Sequence, residues 1–472
     1  MIQHNLGRLQ SMQCGDGGWG WFSGWGERSW PHTTALVVHG LQIAREIGVA
    51  VPPEMIQRGV AWLKGYQAEQ IRWLQRGDAE KSEWPYKKKA DALDAFVYMV
   101  LVDEKTDNTT MRGYLWRDKV SLPVYAKSMF AMALHRVGDI EKRDAVITNI
   151  EQFLVRDDEN QTAYLRLPEN SWWYWYGSEY EAQAYYLKLL ALTNPKSETA
   201  SRLAKYLINN RKHSTYWNST RDTAIVVEAL ADYIKASGED SPNMTVEVKL
   251  DGKTVKTVRI DKANLFSFDN KLILEGQAVT AGQHTLTVVK KGTGPLYYNA
   301  YLTTFTTEDM ITKAGLEIKV NRKYYKLTRV EKTTKVAGTR GQSLDQRVEK
   351  YERAELPNLA AVKSGDLIEV ELVIDSKNDY EYILLADMKA AGFEPVEVRS
   401  GYGGNEMGAY TEYRDNRVCF FVQRLARGTH SLSYRLRAEI PGKFSALPTT
   451  ATGIYAPELR ANSDELKLNI TD

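Results

Sequence analysis

The sequence is short of cysteine, of net charge and of long apolar runs, and each shortage closes off a class of protein. Only 2 cysteines, Cys14 and Cys419, occur in 472 residues. That is too few for a disulfide framework, and the two fall in different predicted domains. The formal net charge is +2, so neither nucleic acid nor an anionic membrane is an expected partner. No apolar run approaches the roughly 20 residues that cross a bilayer, so direct membrane insertion is not expected. Met1 to Leu6 has no basic or apolar region of the signal-peptide kind. Read literally, that places the chain in the cytoplasm; in a piece cut from a longer exported protein it carries no such meaning. All 12 Trp lie before residue 220, so that part of the aromatic surplus belongs to the N-terminal region.

What is present first is a self-similar pair of segments. Trp30-Pro31-His32-Thr33-Thr34-Ala35-Leu36-Val37-Val38-His39-Gly40-Leu41 is echoed by Asp222-Thr223-Ala224-Ile225-Val226-Val227-Glu228-Ala229-Leu230. In both, an aromatic-bearing loop feeds a helix of one pattern, which points to a helical repeat array. Apolar spacing predicts helices near 2–13, 31–48, 53–70, 88–104, 121–137, 141–155, 178–193, 197–210 and 220–237. Alternating short and long links make antiparallel helix pairs, which stack into an open superhelix or close into a ring. Small residues such as Ala35, Gly40, Ala182, Ala184, Ala224 and Ala229 suit crowded inner helices and favour an α/α barrel.

Gly238 to Pro242 breaks the array. Beyond it the pattern turns to β: Thr245–Leu250, an Asp251-Gly252 hairpin turn, Lys253–Ile260, Gly282–Val289 and Leu296–Phe305. After a turn region from Glu308 to Gly315, strands are predicted at 316–327, 367–374, 382–387, 417–422 and 428–438. Lys335 to Glu355, charged and glycine-bearing, reads as a long exposed loop. The fold class is therefore multidomain, α then β: a closed or nearly closed α/α barrel over 1–240, then antiparallel β-sandwiches over 241–307 and 308–472.

Candidate chemistry is sparse. His32 and His39 share a helix face, but seven residues apart they lack the i, i+4 spacing of a metal pair, and no carboxylate joins them. Asp91 and Asp94 could act as an acid/base pair, yet acidic residues in a first helical turn are also what the helix dipole prefers. Cys14 has no His or Asn partner identifiable in the sequence and reads as a small buried hydrophobe. Trp19 and Trp21 in one loop, and Trp172, Trp173 and Trp175 in another, either line a ligand cleft or plug one end of a helical barrel. No cofactor or metal site is expected.

Two stretches resemble a known family. The first runs from Arg8 through Gly17-Gly18-Trp19-Gly20-Trp21-Phe22 to Leu41. The second comprises Ala391–Pro395, Glu412–Val418, Tyr434–Phe444, Pro448–Thr450 and Tyr455–Glu458. Together, in this order, they look like the C-terminal part of a bacterial alpha-2-macroglobulin. The resemblance implies most of a helical thioester domain before about residue 240, an incomplete α/α toroid whose N-terminal helices are missing, then the returning part of a CUB-like domain and a macroglobulin-type C-terminal domain. It implies a non-enzymatic, broad-spectrum protease trap, periplasmic or cell-surface in the parent protein, with proteases as partners of the full-length molecule. It also implies intramolecular packing of the C-terminal domain on the helical one. There Tyr455, with Ile454 and Met407, would shield the thioester from water, or else pack within their own sandwich.

The family's thioester needs Cys-x-x-Gln. Here Cys14 is followed three positions on by Gly17 and Cys419 by Val422, so the motif and the bait region would lie outside this chain. Gly65 to Ala90 contains no His, so a complement-type imidazole route to esters is not expected and amines would be favoured. The alternatives are an α/α-toroid enzyme of cyclase or lyase type, with a Trp-lined cavity, and a thioester-less scaffold. The first lacks an Asp-x-Asp-Asp motif.

Overall fold

A computed structural model describes residues 2–22, 26–79, 84–167, 178–211, 216–303, 310–337 and 343–472, without the side chains of 2–3 and 331–349. The chain divides into two compact units. One is Met1–Asn209 with Ser219–Asn299; the other is Ala300–Asp472 with Asn210–Asn218.

The first unit begins with α1 (Ile2–Ser11), α2 (Pro31–Glu46), α3 (Pro53–Asp78), α4 (Ala92–Asp103) and α5 (Thr109–Asp118). It continues with α6 (Val124–Arg136), α7 (Ile140–Glu151), α8 (Glu179–Thr193), α9 (Glu198–Asn209) and α10 (Thr220–Ser237). A hairpin of β1 (Leu154–Asp157) and β2 (Thr162–Leu165) interrupts the helices and packs on α9. The even-numbered helices form the inner wall: α2 packs on α4, α4 on α6, α6 on α8 and α8 on α10. The odd-numbered ones cover them: α3 lies on α2 and α4, α7 on α6, and α9 on α8 and α10. This is the α/α toroid arrangement.

Burial follows position in the ring. Every residue from Asp94 to Val102 of α4, and from Tyr180 to Ala191 of α8, is buried. On α2 and α10, at the two ends of the wall, only one side is buried. Side-chain caps start α4, α8 and α10: Asp91 and Asp94 form a capping box on α4, and Ser178 and Ser219 accept from Glu181 N and Asp222 N.

The helix expected from 121 begins at Val124, and that expected to reach 155 ends at Glu151, where the chain turns into β1. Helix α5 had no sequence counterpart, and α3 runs on to Asp78. After α10 a single three-stranded sheet follows, in the order β4-β3-β5, from β3 (Asn243–Leu250), β4 (Lys253–Asp261) and β5 (Leu286–Thr293). Asp251 and Gly252, with φ of 51° and 80°, make the β3–β4 turn as expected. Leu296 to Leu302, expected as a strand, is not paired in a ladder; residues 304–309 lie outside the described set.

The second unit contains β6 (Ala314–Gly315), β7 (Ile318–Ala337), β8 (Ser343–Glu355), β9 (Ala360–Lys363), β10 (Leu367–Ser376) and β11 (Tyr380–Met388). Then come β12 (Phe393–Pro395), β13 (Gly401–Tyr402), β14 (Tyr410–Tyr413), β15 (Arg417–Leu425) and β16 (Gly428–Ala438). Last are β17 (Gly442–Ala446), β18 (Thr450–Gly453), β19 (Arg460–Asn462) and β20 (Leu466–Thr471). A five-stranded sheet, β12-β16-β10-β7-β8, and a seven-stranded sheet, β13-β14-β15-β11-β18-β19-β6, share one core. A small sheet, β17-β20-β9, accompanies them. The segment 335–355, expected as a loop, instead supplies the end of β7 and all of β8, paired from Tyr325↔Glu355 to Ala337↔Ser343.

Strand alternation aims Ile318, Val320, Arg322 and Tyr324 of β7 at the core, and Ile383, Leu385 and Asp387 of β11. The two charged residues in those rows meet: Arg322 Nη1 donates to Asp387 Oδ1 at 2.7 Å, with both side chains buried. Tyr434 Oη donates to Asp387 Oδ2 at 2.7 Å and Thr449 Oγ1 to Oδ1 at 2.8 Å. Arg322 also donates to the carbonyls of Ala446 and Leu447, each at 2.7 Å. Removing one partner of a buried pair costs roughly 3–5 kcal/mol. Asp387→Ala is therefore expected to destabilise the β-unit by that amount in calorimetric unfolding, and a loss under about 1 kcal/mol would contradict the network's role.

Two glycines of α3 make opposite predictions. A Cβ on Gly59 would stand 2.7 Å from Val38 Cγ2 and 2.8 Å from the Trp19 ring, whereas one on Gly65 meets nothing within 4 Å. Gly65→Ala should raise stability by about 0.5–1 kcal/mol through helix propensity. Gly59→Ala should lower it by roughly 1–3 kcal/mol, because overpacking outweighs that gain. Urea midpoints of the two variants check the signs.

Candidate functional site

The aromatic loop after α1 is split by the fold. Trp19 is a buried anchor: its Nε1 donates to Leu9 O at 2.8 Å, its N donates to Thr34 Oγ1 at 2.9 Å, and its O accepts from Trp30 N at 2.8 Å. Trp21 is exposed and meets Trp30 edge-on, with ring centres 6.3 Å apart. Trp172, Trp173 and Trp175 lie outside the described residues. Cys14 is buried, with its carbonyl accepting from Arg58 Nη2 at 3.0 Å.

The axis of the helical ring is polar, which the sequence reading missed. His39 of α2 donates from Nε2 to Glu228 Oε1 of α10 at 3.1 Å. Lys188 of α8 donates to the same carboxylate oxygen, and to Asp232 Oδ2 at 2.5 Å. Asp103 of α4, paired with Arg136 of α6, belongs to the same charged layer. Burial alone would push the Glu228 carboxyl up, but His39 and Lys188 more than offset it and hold it at about 2. Asp103 goes the other way: burial raises it to about 6 against the pull of Arg136 and His39. His32, the second residue of α2, is held down at about 4 by burial and by the charge of Arg221. Its ring and that of His39 both lie against Phe96, at 5.7 and 6.3 Å.

At the start of α4, Lys87 Nζ lies 2.6 Å from Asp94 Oδ2 and 2.7 Å from Asp91 Oδ2. Burial, then Asp91, raises Asp94 to about 6 while Lys87 opposes. Asp91 and Asp94 thus serve as a helix cap tied to a lysine. Among the described residues no group of three or more His, Cys, Asp or Glu is placed to hold a metal ion. No described helix is long and apolar enough to cross a membrane.

In the second unit, Ile454 and Tyr455 stand out from the end of β18, 46% and 62% exposed. Tyr382 on β11 has φ of 56°, a left-handed backbone that a bulky residue adopts only under strain. This conformation sets its ring edge-on to Tyr455, with centres 5.2 Å apart, while Ile454 N donates to Tyr382 O at 2.9 Å. Met407 is placed differently. Its loop is closed by Asn405, whose side chain bonds Ala409 N and O at 2.8 Å, and Met407 packs half-buried against the sandwich core. The exposed tip is therefore Ile454 and Tyr455, with the half-buried Tyr382 beside them. Tyr382 was not among the expected residues, and only its backbone marks it.

The fold is a helical toroid followed by antiparallel β-sheets that share one core, and comparison with known proteins places it in a family. Residues 1–233 match the A-macroglobulin TED domain family, and residues 318–458 match the bacterial alpha-2-macroglobulin MG10 domain family. An alpha-2-macroglobulin homolog of Nostoc is 24% identical over 98% of this chain, which spans 23% of that protein. An alpha-2-macroglobulin of Thermotoga maritima is 25% identical over 49% of the chain and 12% of its own length. Trypsin-activated alpha-2-macroglobulin of Escherichia coli superposes with a TM-score of 0.46 at 17% identity, covering 100% of this chain and 29% of that one. Methylamine-reacted Salmonella alpha-2-macroglobulin gives 0.37 at 20% identity, covering 98% and 27%. The chain belongs to the bacterial alpha-2-macroglobulin family. It spans about a quarter of the length of the Nostoc relative.

The opposed carboxyl shifts set the pH response of the helical ring. Glu228, at about 2 when folded against an ordinary 4.5, contributes stability that is present above 4.5 and lost as pH falls toward 2. Asp103, at about 6 against 3.8, contributes stability present below 3.8 and lost as pH rises through 6. Glu228→Gln should cost roughly 3 kcal/mol at neutral pH and flatten the acid limb. Asp103→Asn should flatten the decline between pH 4 and 6. Urea unfolding of both variants across pH 3–7 reads the two slopes separately.

Proposed function

We propose that the chain is the C-terminal part of a larger protease-trapping inhibitor of the cell envelope, periplasmic or cell-surface, and not an enzyme. The observation that carries the reading is the order of parts: a thioester-domain-type toroid followed by a macroglobulin sandwich, aligned with one relative over 98% of the chain. Its division is 1–240, 241–307 and 308–472, the middle part being completed by polypeptide from elsewhere in the full-length protein. The axial charges support a structural role, since Glu228, Lys188, His39 and Asp232 are engaged with one another. The chain itself carries no Cys-x-x-Gln, and both cysteines are buried. In the full-length protein the Ile454–Tyr455–Tyr382 tip is the surface that keeps water from the thioester.

Two measurements test this. Labelled methylamine should not be incorporated into the isolated chain; incorporation would refute the absence of an internal thioester. The full-length protein, cut by trypsin, should leave the protease active on a small chromogenic peptide but inactive on a large protein substrate. Equal activity on both substrates would refute trapping.

A further inference from the structure

The four edges of the two large sheets are not alike. Strands β12, β13 and β6 are edges of 3, 2 and 2 residues, and β12 ends in Pro395. Short edges and proline are common protection against pairing with another chain. Strand β8 is the fourth edge and runs for 13 residues, Ser343–Glu355. It pairs with β7 without a register shift, and its sequence holds neither proline nor glycine. One side of its backbone is bonded to β7; no other strand among the described residues pairs with the second side. What β8 carries instead is charge, and the hairpin leaves much of it unanswered. The ladder sets Lys350 opposite Val330, Glu352 opposite Thr328 and Glu349 opposite Glu331, the last a pair of like charges. Lys350 and Glu352 are exposed and have no ion pair among the described residues.

We infer that β8 is the edge through which two copies of this chain pair, antiparallel, about a two-fold axis at Tyr351. In that register Lys350 of each copy stands opposite Glu352 of the other, Glu349 opposite Arg353, and Arg347 opposite Glu355. Tyr351 stands opposite its own copy. Residues so paired lie an even number of positions apart, so each pair falls on one face of the joined sheet. The two-fold makes every pair twice. Moving the axis one or two residues either way sets Lys350, Glu349, Glu352 or Arg353 against its own copy, like charge on like. Opposite charges thus stand at equal distances on either side of Tyr351, which is complementarity to a reversed copy of the same strand and to no other sequence in particular. Arg353 already reaches Glu369 at 2.9 Å and Glu371 at 3.3 Å, so Lys350 with Glu352 is the pair the join adds outright. The result is one continuous sheet in which β8 is no longer an edge.

Sedimentation velocity of the whole chain should show a dimer that grows with concentration. Lys350→Glu places like charges across the join twice and should weaken the dimer at least about tenfold. Adding Glu352→Lys to that variant restores opposite signs and should recover the dimer. Both positions are exposed, so both variants should keep the parent circular dichroism. Cysteines read the register. Residues directly opposite in an antiparallel pair have Cα atoms about 4.5–5.5 Å apart, within disulfide reach. Tyr351→Cys should therefore give a disulfide-linked dimer on oxidation, whereas Glu355→Cys, which stands opposite Arg347, should not. The native Cys14 and Cys419 are buried and do not compete. A chain that stays monomeric at every concentration would overturn the inference. So would a dimer indifferent to Lys350→Glu, or one cross-linked as readily through Glu355→Cys as through Tyr351→Cys. Protease trapping is read on the full-length protein, and neither outcome bears on it.

Discussion

The helical ring depends on one carboxylate. Glu228 sits where α2, α8 and α10 converge, and it is the atom group through which the first inner helix reaches the last. A ring of inner helices encloses an axis that water reaches poorly, so a charge placed there must be answered by another charge. His39 and Lys188 answer Glu228, and Arg136 answers Asp103. Register between helices is thereby fixed by ion pairs, while the aliphatic rows of α4, α6 and α8 supply the bulk of the packing.

The sandwich solves the same problem in β geometry. Arg322 and Asp387 occupy inward positions of strands in different sheets; Asp387 also accepts from Tyr434 and Thr449, and Arg322 donates to backbone carbonyls while its buried Nε is left without a partner. Such a pair specifies how two sheets stack, because a one-residue slip of either strand would turn a charge to the wrong face. Tyr382 departs from the ladder by adopting a left-handed backbone close to Ile454 and Tyr455. Strain of that kind is retained where surrounding structure holds it, and here it shapes the one aromatic tip at the end of β18.

Much of this was legible in the sequence. Helix α10 and strand β16 run over the residues expected, 220–237 and 428–438, because each has clear periodicity and clear ends. Helix α5 escaped because it buries only Met111, Leu115 and Asp118; its signal was the cap, Asn108 accepting from Thr110 N and Met111 N. The β7–β8 hairpin escaped because its run of Lys, Glu and Arg shows no alternation of apolar and polar residues. Leu296–Leu302 shows the reverse case, a good strand pattern without a ladder partner among the described residues. At the candidate site, Ile454 and Tyr455 stand exposed as a pair, whereas Met407 is half-buried against the sandwich core. His39–Glu228 could not have been found from spacing, since 189 residues separate the two. Arg322 and Asp387 did carry a signal, a charge at the inward phase of an apolar alternation.

The β7–β8 hairpin changes character along its length. Residues 325–327 of β7 have a ladder partner on each side, β10 and β8, but residues 328–337 have β8 alone. Bending stiffness therefore drops just beyond Leu327. The outer part is a lever arm and Leu327 its fulcrum: a pull at the tip flexes the two-stranded ribbon and leaves the sheet behind it undistorted.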